Sequence, residues 1–525
     1  MKQKKHRLLA ALGTTPALLA PVAVHAALPS PAVAVPADAW QQRLWNFHHE
    51  QLLGTSVQLT VRAASQADAR RAEAAALAAM DGDEARLSAW RAQSEFSRWQ
   101  RTRFAAVPVS EELFSVLAGF DQWRARTHGA LDPSVEAATR LWQRAASEGR
   151  RPNDREIAET LEAIQQPHWA LDYEHRTATR LSDTPLALAS FVKSWIVARA
   201  ADAALASGAS GVLINAGGDV VARGAMTQIV EIADPATAAD NASSIDAVVV
   251  HDRAVATSGG ARRGFQIAQV AAVQSPEFSH LIDPATARPV GHVLSSTVIA
   301  RDAATAGALA TAFAVMPVER SRALAATLPG GDYLLLLADG QRVASPGWSR
   351  YSVGGKAQLT PAAATTTRPA AGLWNPRFEL AIEVNLPQMH DARYRRPYVA
   401  VWVEDGDRYP VRTLALWTEN PRWLPDLKRW YHDDQIRGMS EGGDISRTVG
   451  SATRPAGKYN LIWDGKDNQG KPVKTGTYTL CIEASREHGG YQLQQQQINF
   501  NGQPQHMQLP AGQELGSILL DYRKH

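Results

Sequence analysis

The sequence predicts a mixed helix–strand domain, α+β or α/β by periodicity alone, followed by an all-β sandwich. Chain length is the first observation behind this: 525 residues exceed one ordinary core and predict roughly two to four domains. The second is the tract LTPAAATTTRPAAG, residues 359–372, whose Ala/Thr/Pro composition carries no usable period and reads as a linker. The third is a change of hydrophobic period across that tract. Before it, residues 67–90 and 305–316 have helical spacing and residues 54–61 alternate like a strand. After it, Phe378, Leu380, Ile382, Val384 and Leu386 share one face of a strand, and Tyr478, Leu480 and Ile482 repeat the pattern. The stretch WDGKDNQGKPV, residues 463–473, supplies a strand end and a tight turn at Asp467-Asn468-Gln469-Gly470.

The N-terminus reads as an export signal. Lys2, Lys4, Lys5 and Arg7 precede an apolar run, residues 8–19, too short to span a bilayer comfortably. Small residues around Val24-His25-Ala26 place cleavage after Ala26, and residues 27–40 read as a leader linker. The chain holds 55 Lys+Arg against 52 Asp+Glu. The signal carries only basic charges, so the remainder is close to neutral and offers no broad basic field for nucleic acid. Cys481 is the single cysteine, which excludes an internal disulfide and a lipoprotein cysteine at the cleavage site, and it reads as a small buried strand residue. The mature chain is therefore expected to be soluble and periplasmic, with no transmembrane segment.

Residues 211–214 form a short apolar run that stops at Asn215-Ala216-Gly217-Gly218-Asp219. Gly217 and Gly218 let backbone approach a ligand without a Cβ in the way, and N–H groups at such a turn hold anionic phosphates. Alone this is simply a turn; its weight comes from other segments in register. These are Leu53-Gly54-Thr55, LSAWRAQSEFSRW (87–99), HGALDPSV (128–135), GVLINAGGDVVARG (211–224), AVATSGG (254–260), HLIDPATARPV (280–290) and SSTVIARDAATAGALATAFAVM (295–316). Together they resemble, in order, the FAD:protein FMN transferase (ApbE-type) family over roughly half of the chain.

The resemblance implies an α+β flavin transferase domain over residues 41–358, with residues 373–525 as an Ig-like sandwich of unknown function. It also implies FAD as substrate, Mg²⁺, transfer of FMN to a Thr or Ser of a partner protein, and release of AMP. The partner would be a redox or electron-transfer protein carrying a flavinylation motif. Carried over by position, Leu53, Trp90, Ala130, Leu131, Asp132, Asn215, Gly217, Gly218, Leu281 and Ile282 would contact the cofactor. Lys193 would sit near flavin or phosphate, with Thr311 as its catalytic companion; Ser190 and Thr311 would be the metal-side groups.

The departures fall on the chemistry. The family's closing helix places an Asp four residues before its Thr, on one helix face. Here Thr311 is kept and the Asp position is Gly307. Asp302 is five residues earlier and cannot replace it on that face. Around Lys193, Ala187 stands for a FAD-holding Asp, and Ala189, Ser190 and Ser194 replace glycines; Ala287 replaces another. Metal affinity is expected to fall. The alternative reading is a degenerate, non-catalytic FAD-binding or scaffold protein whose sandwich binds a partner.

In the second domain, WDGKDNQGKPVKTGTYTL (463–480) resembles the Ig-like module of flagellar hook-capping proteins. Arg486, Glu487 and His488 read as an exposed turn in preference to a metal or acid–base cluster. Thr448-Val449-Gly450-Ser451-Ala452-Thr453 partly resembles a flavinylation acceptor motif, but Pro455 follows and a loop is preferred. Trp423, Trp430 and Tyr431 read as buried aromatics of the sandwich.

Overall fold

A computed structural model describes residues 43–524 apart from 236–238, 240, 242–243, 260–263, 267–276, 329, 354–371, 390–394, 419–420, 443–444, 452 and 488. The expected signal, leader and most of the linker lie outside the described residues, as do Gly260, Ala452 and His488. Among the described residues no helix is long and apolar enough to cross a membrane.

The first domain is built on one antiparallel sheet. The eight strands of that sheet and the main helices around it are, in chain order, β1 (Arg43–Leu52), β2 (Thr55–Ala63), α1 (Gln66–Leu87), α2 (Glu111–Arg126), α3 (Glu136–Ser147), α4 (Phe191–Ala206), β3 (Gly211–Ala216), β4 (Asp219–Gly224), β5 (Ala254–Gly259), β6 (Val293–Ala300), α5 (Ala303–Val315), β7 (Asp332–Leu337) and β8 (Arg342–Ala344). The eight strands lie side by side in chain order, and every neighbouring pair is antiparallel. Periodicity alone had left α+β and α/β open. The absence of parallel pairs in this sheet makes the domain α+β.

Strand alternation gives the sheet two apolar faces. Leu59, Val61, Ile214, Val221, Ala256 and Val298 point to the helix side, where α1, α4 and α5 pack. Those helices present mostly small residues, such as Ala69, Ala72 and Ala76 of α1 and Ala306 and Ala310 of α5. Small side chains let helix backbones approach the sheet and each other closely, which decides the site geometry. Val220, Val255, Ile299 and Leu334 point the other way, against Trp348 and the ribbon Thr227–Ala233 with Ser244–His251. α1 and α5 begin where the sequence places caps. The side chains of Ser65 and Asp302 accept the N–H of the third residue in each. Asp302 is thus an N-cap, in keeping with its exclusion from the Thr311 face.

The second domain contains β9 (Phe378–Leu386), β10 (Tyr398–Glu404), β11 (Pro410–Trp417), α6 (Lys428–Glu441), β12 (Gly457–Trp463), β13 (Gly476–Ser485), β14 (Tyr491–Phe500), β15 (Gln505–Leu509) and β16 (Ile518–Lys524). One sheet runs β12-β9-β16-β15; the other runs β11-β10-β13-β14 with Gly450–Ser451 added at its β11 edge. Phe378, Leu380, Ile382, Val384 and Leu386 share one core with Val399, Val401, Val403, Leu480 and Ile482 of the other sheet. This is the sandwich that the period-two pattern predicts. Trp374 and Phe500 stand 4.6 Å apart between ring centroids inside it.

Two features depart from the sequence reading. The helix α6 covers the outer face of the five-stranded sheet, where Trp430 packs with Trp402, Leu416 and Cys481. The aromatics expected in the sandwich core are therefore carried by this helix and the turn before it, Trp430 and Tyr431 on α6 and Trp423 in Pro421–Asp426. Of the segment from Thr448 expected as loop, Thr448 and Val449 end a helical turn (Ser446–Val449), Gly450–Ser451 form a short strand parallel to β11, and Thr453 is buried. Arg486 is also more than an exposed turn residue, since its guanidinium pairs with the fully buried Glu514 at 3.0 Å.

Beneath α6 lies a buried polar cluster. Glu404 accepts from Trp402 Nε1 at 3.0 Å and from Arg429 at 2.9 Å. Asp433 accepts from Arg429 Nε at 2.7 Å, and Glu483 accepts the backbone N–H groups of Arg429 and Trp430. Burial pushes the Glu404 and Glu483 carboxyls above the usual range, and hydrogen bonding to Asp433 raises Glu404 further.

Candidate functional site

Two tight turns meet at one end of the central sheet. β1 and β2 are joined by Leu53-Gly54, with φ of 51° and 72°, and β3 and β4 by Gly217-Gly218, with φ of 57° and 95°. Positive φ at both central residues is what a two-residue hairpin of this twist requires. Val57 pairs with Ala216, which sets the turns side by side. Thr55 Oγ1 then lies against Gly217 so closely that a Cβ there would overlap it. Asn215 Oδ1 accepts the Gly218 N–H at 3.1 Å and braces the turn.

The turn hands its last residue to α4. Asp219 is buried, and its Oδ2 accepts from Ser194 Oγ at 3.0 Å and pairs with Lys193 Nζ at 3.3 Å. Lys193 retains 30% of its side-chain exposure, so the ammonium reaches the rim of the site. α4 begins without a side-chain cap. Its N-cap residue is Ser190, held at φ 61° and ψ −108°, with a buried Oγ that has no hydrogen-bond partner among the described residues. An uncapped helix start with a lysine in its first turn favours an anion.

α5 closes the other side. An ideal Cβ on Gly307 would stand 2.6 Å from Ser194 Oγ and 3.0 Å from Phe191 Cα. One turn on, Thr311 Oγ1 lies 3.2 Å from Ser258 Oγ of β5. Ser258 pairs across the sheet with Ser296 of β6, whose buried Oγ is without a partner among the described residues.

Of the remaining residues expected at the cofactor, Asp132 and Ile282 lie beside α3. Asp132 caps the short turn Pro133–Val135 through Ser134 and pairs with Arg124 at 2.8 Å. Leu131 is a core residue. Ile282 packs with Ala138, Leu141 and Trp142, and Leu281 and Ala130 are half-buried beside these segments. Ala287 sits in the same cluster at φ 50°, the left-handed region that explains why glycine is the usual residue there. Trp90 is 88% exposed, with its indole available to a flat ring.

The structure therefore joins Lys193 and the turn of residues 215–218 to Gly307, one turn before Thr311 on α5, through Asp219 and Ser194. Neither of the two connectors stood among the expected contact residues. The end of the Gly-Gly-Asp turn was the available signal for Asp219; Ser194 was noted only as a lost glycine.

A model of the ApbE family matches residues 53–335. The chain belongs to the ApbE family. A second model, described as "predicted periplasmic protein (DUF2271)", matches residues 379–517. This ApbE-family chain is 31% identical over 250 residues to the FAD:protein FMN transferase of Vibrio cholerae, covering 46% of this chain and 71% of the relative. It is 26% identical over 268 residues to the enzyme of the same name from Haemophilus influenzae, covering 49% and 75%. The crystal structure of the ApbE protein from Thermotoga maritima superposes with a TM-score of 0.52 at 27% identity, covering 59% of this chain and all of that one.

Mg²⁺, which the resemblance implies, prefers one or two carboxylates in an octahedral oxygen set. Ser190 and Thr311 provide hydroxyls, and Asp219 is engaged by Lys193 and Ser194. Gly307 leaves no room for a carboxylate while Ser194 faces it. Among the described residues no three His, Cys, Asp or Glu cluster to hold a metal. The side chains present do not fit a cation anchored by protein carboxylates.

Proposed function

We propose that this chain is a periplasmic FAD:protein FMN transferase that moves FMN from FAD to a Thr or Ser of a partner protein and releases AMP. The observation that carries it is the Lys193–Asp219 pair between the Gly217-Gly218 turn and the uncapped start of α4. That arrangement offers one partly exposed cation and oriented N–H groups to a pyrophosphate. Its position in an ApbE-family domain, with the named relatives, supports the flavin as the group beside it. Trp90 supplies a ring face, and Leu53, Ala130, Leu131, Asp132, Leu281 and Ile282 complete the proposed cofactor contacts.

In the reaction the acceptor hydroxyl oxygen attacks the FMN phosphorus. A new P–O bond forms, the bridging P–O bond breaks, AMP leaves with the electron pair, and the hydroxyl proton passes to water or the leaving phosphate. The protein's part is to hold the pyrophosphate in line with the acceptor and to balance its charge. Lys193 does the second from the α4 start, and Thr311 offers a hydroxyl on the α5 side. The acceptor is read as a redox or electron-transfer protein. Periplasmic location is supported by the export signal expected in residues 1–26 and by the description of the second family.

Full-length protein incubated with FAD and a Thr-containing acceptor peptide should release AMP only when the peptide is present. FAD binding without AMP would favour the degenerate reading, which the packed Gly307 position recommends.

A further inference from the structure

The two departures at positions 194 and 307 are in contact. Ser194 Oγ occupies the space a side chain on Gly307 would need, and the same Oγ donates to Asp219. Ser194 is 99% buried, and Asp219 holds the Lys193 ammonium. A glycine at 194 would free that volume and also release Asp219 from the hydroxyl. One exchange thus removes a carboxylate position from α5 and fastens a carboxylate–lysine pair on the opposite wall.

We propose that Ser194 is a positioning residue that makes Lys193, together with the α4 N–H groups, the protein's charge-neutralising group for the FAD pyrophosphate, so that FAD binding does not require a divalent cation. The proposal rests on the flavin-site reading above. The charge argument is direct. A lysine brings three N–H donors and a full positive charge, and the helix start adds about half a charge. Asp219 fixes the ammonium's direction without burying it, since Lys193 stays partly exposed. No carboxylate on α5 competes for the ammonium, because Gly307 stands where it would be.

The test is equilibrium titration of the full-length chain with FAD, in Mg²⁺ and in excess chelator, followed by flavin fluorescence. The two dissociation constants should agree within about threefold, and Lys193→Met should weaken both by on the order of tenfold, with partial recovery in Lys193→Arg. The double variant Ser194→Gly/Gly307→Asp should bind FAD about tenfold more tightly with Mg²⁺ than with chelator. If that variant does not fold, the wild-type and Lys193 titrations still decide. Wild-type binding that needs Mg²⁺, or is indifferent to Lys193→Met, would overturn this inference and leave the flavin reading standing. No FAD binding under either condition would overturn both.

Discussion

Ser194 and Gly307 share one volume: the Ser194 hydroxyl lies 2.6 Å from where a Cβ on Gly307 would stand. The contact joins α4 to α5 directly behind the Asp219–Lys193 pair. Residue size at either position is therefore set by the other.

Gly307→Ala should destabilise the protein by about 1–3 kcal/mol through overpacking against Ser194. Adding Ser194→Gly should recover part of that loss. Denaturant unfolding of the two single variants and the double variant gives the coupling term, and additivity would show that the two residues do not share space.

The Gly217 position is constrained twice, by a φ of 57° and by Thr55. Gly217→Ala should cost about 1–3 kcal/mol, whereas Gly218→Ala, with no atom within 4 Å of its Cβ, should cost about 1 kcal/mol from its positive φ alone. Thermal midpoints of the two variants test the order. Equal losses would mean that the Thr55 contact carries no weight.

The cluster under α6 predicts a pH dependence of definite sign. A carboxyl whose folded pKa is raised binds more protons in the folded than in the unfolded state. Its stabilising contribution is complete below the unfolded value, near 4.5 for Glu404, and declines as pH rises through the raised value. Glu404→Gln removes that titration. Its stability relative to wild type should improve as pH is raised from 4.5 to neutrality. Chemical denaturation of both proteins across that range reads the difference, and a gap constant with pH would contradict the assignment.

Cys481 is buried between β13 and α6, and burial pushes its thiol far above the ordinary range. The native protein should react with a thiol reagent only slowly, and the unfolded chain at the rate of a free thiol. Fast native labelling would mean that α6 opens readily.

How much of this was legible in the sequence follows from how local each determinant is. The Gly217-Gly218 hairpin could be read because positive φ at both positions is a demand glycine answers on its own. The sandwich could be read because Phe378 to Leu386 alternate without interruption. The helix α6 could not: KRWYHDDQIRGMSE is strongly polar, and what holds it is the buried acid cluster and Trp430, whose partners come from distant strands. The site divides in the same way. Lys193, Thr311 and the glycine turn stood in recognisable segments, whereas the role of Ser194 depends on touching α5 and Asp219, both remote in sequence. Each departure looked like a separate loss until the fold brought the two together.

The central claim is that this site hands FMN to another protein. Intact-mass measurement of a Thr-containing acceptor protein, after incubation with the full-length chain and FAD, addresses it most directly. The account predicts an acceptor heavier by one phosphoester-linked FMN, with AMP formed in equal amount. An acceptor of unchanged mass, under conditions where FAD is bound, would contradict it.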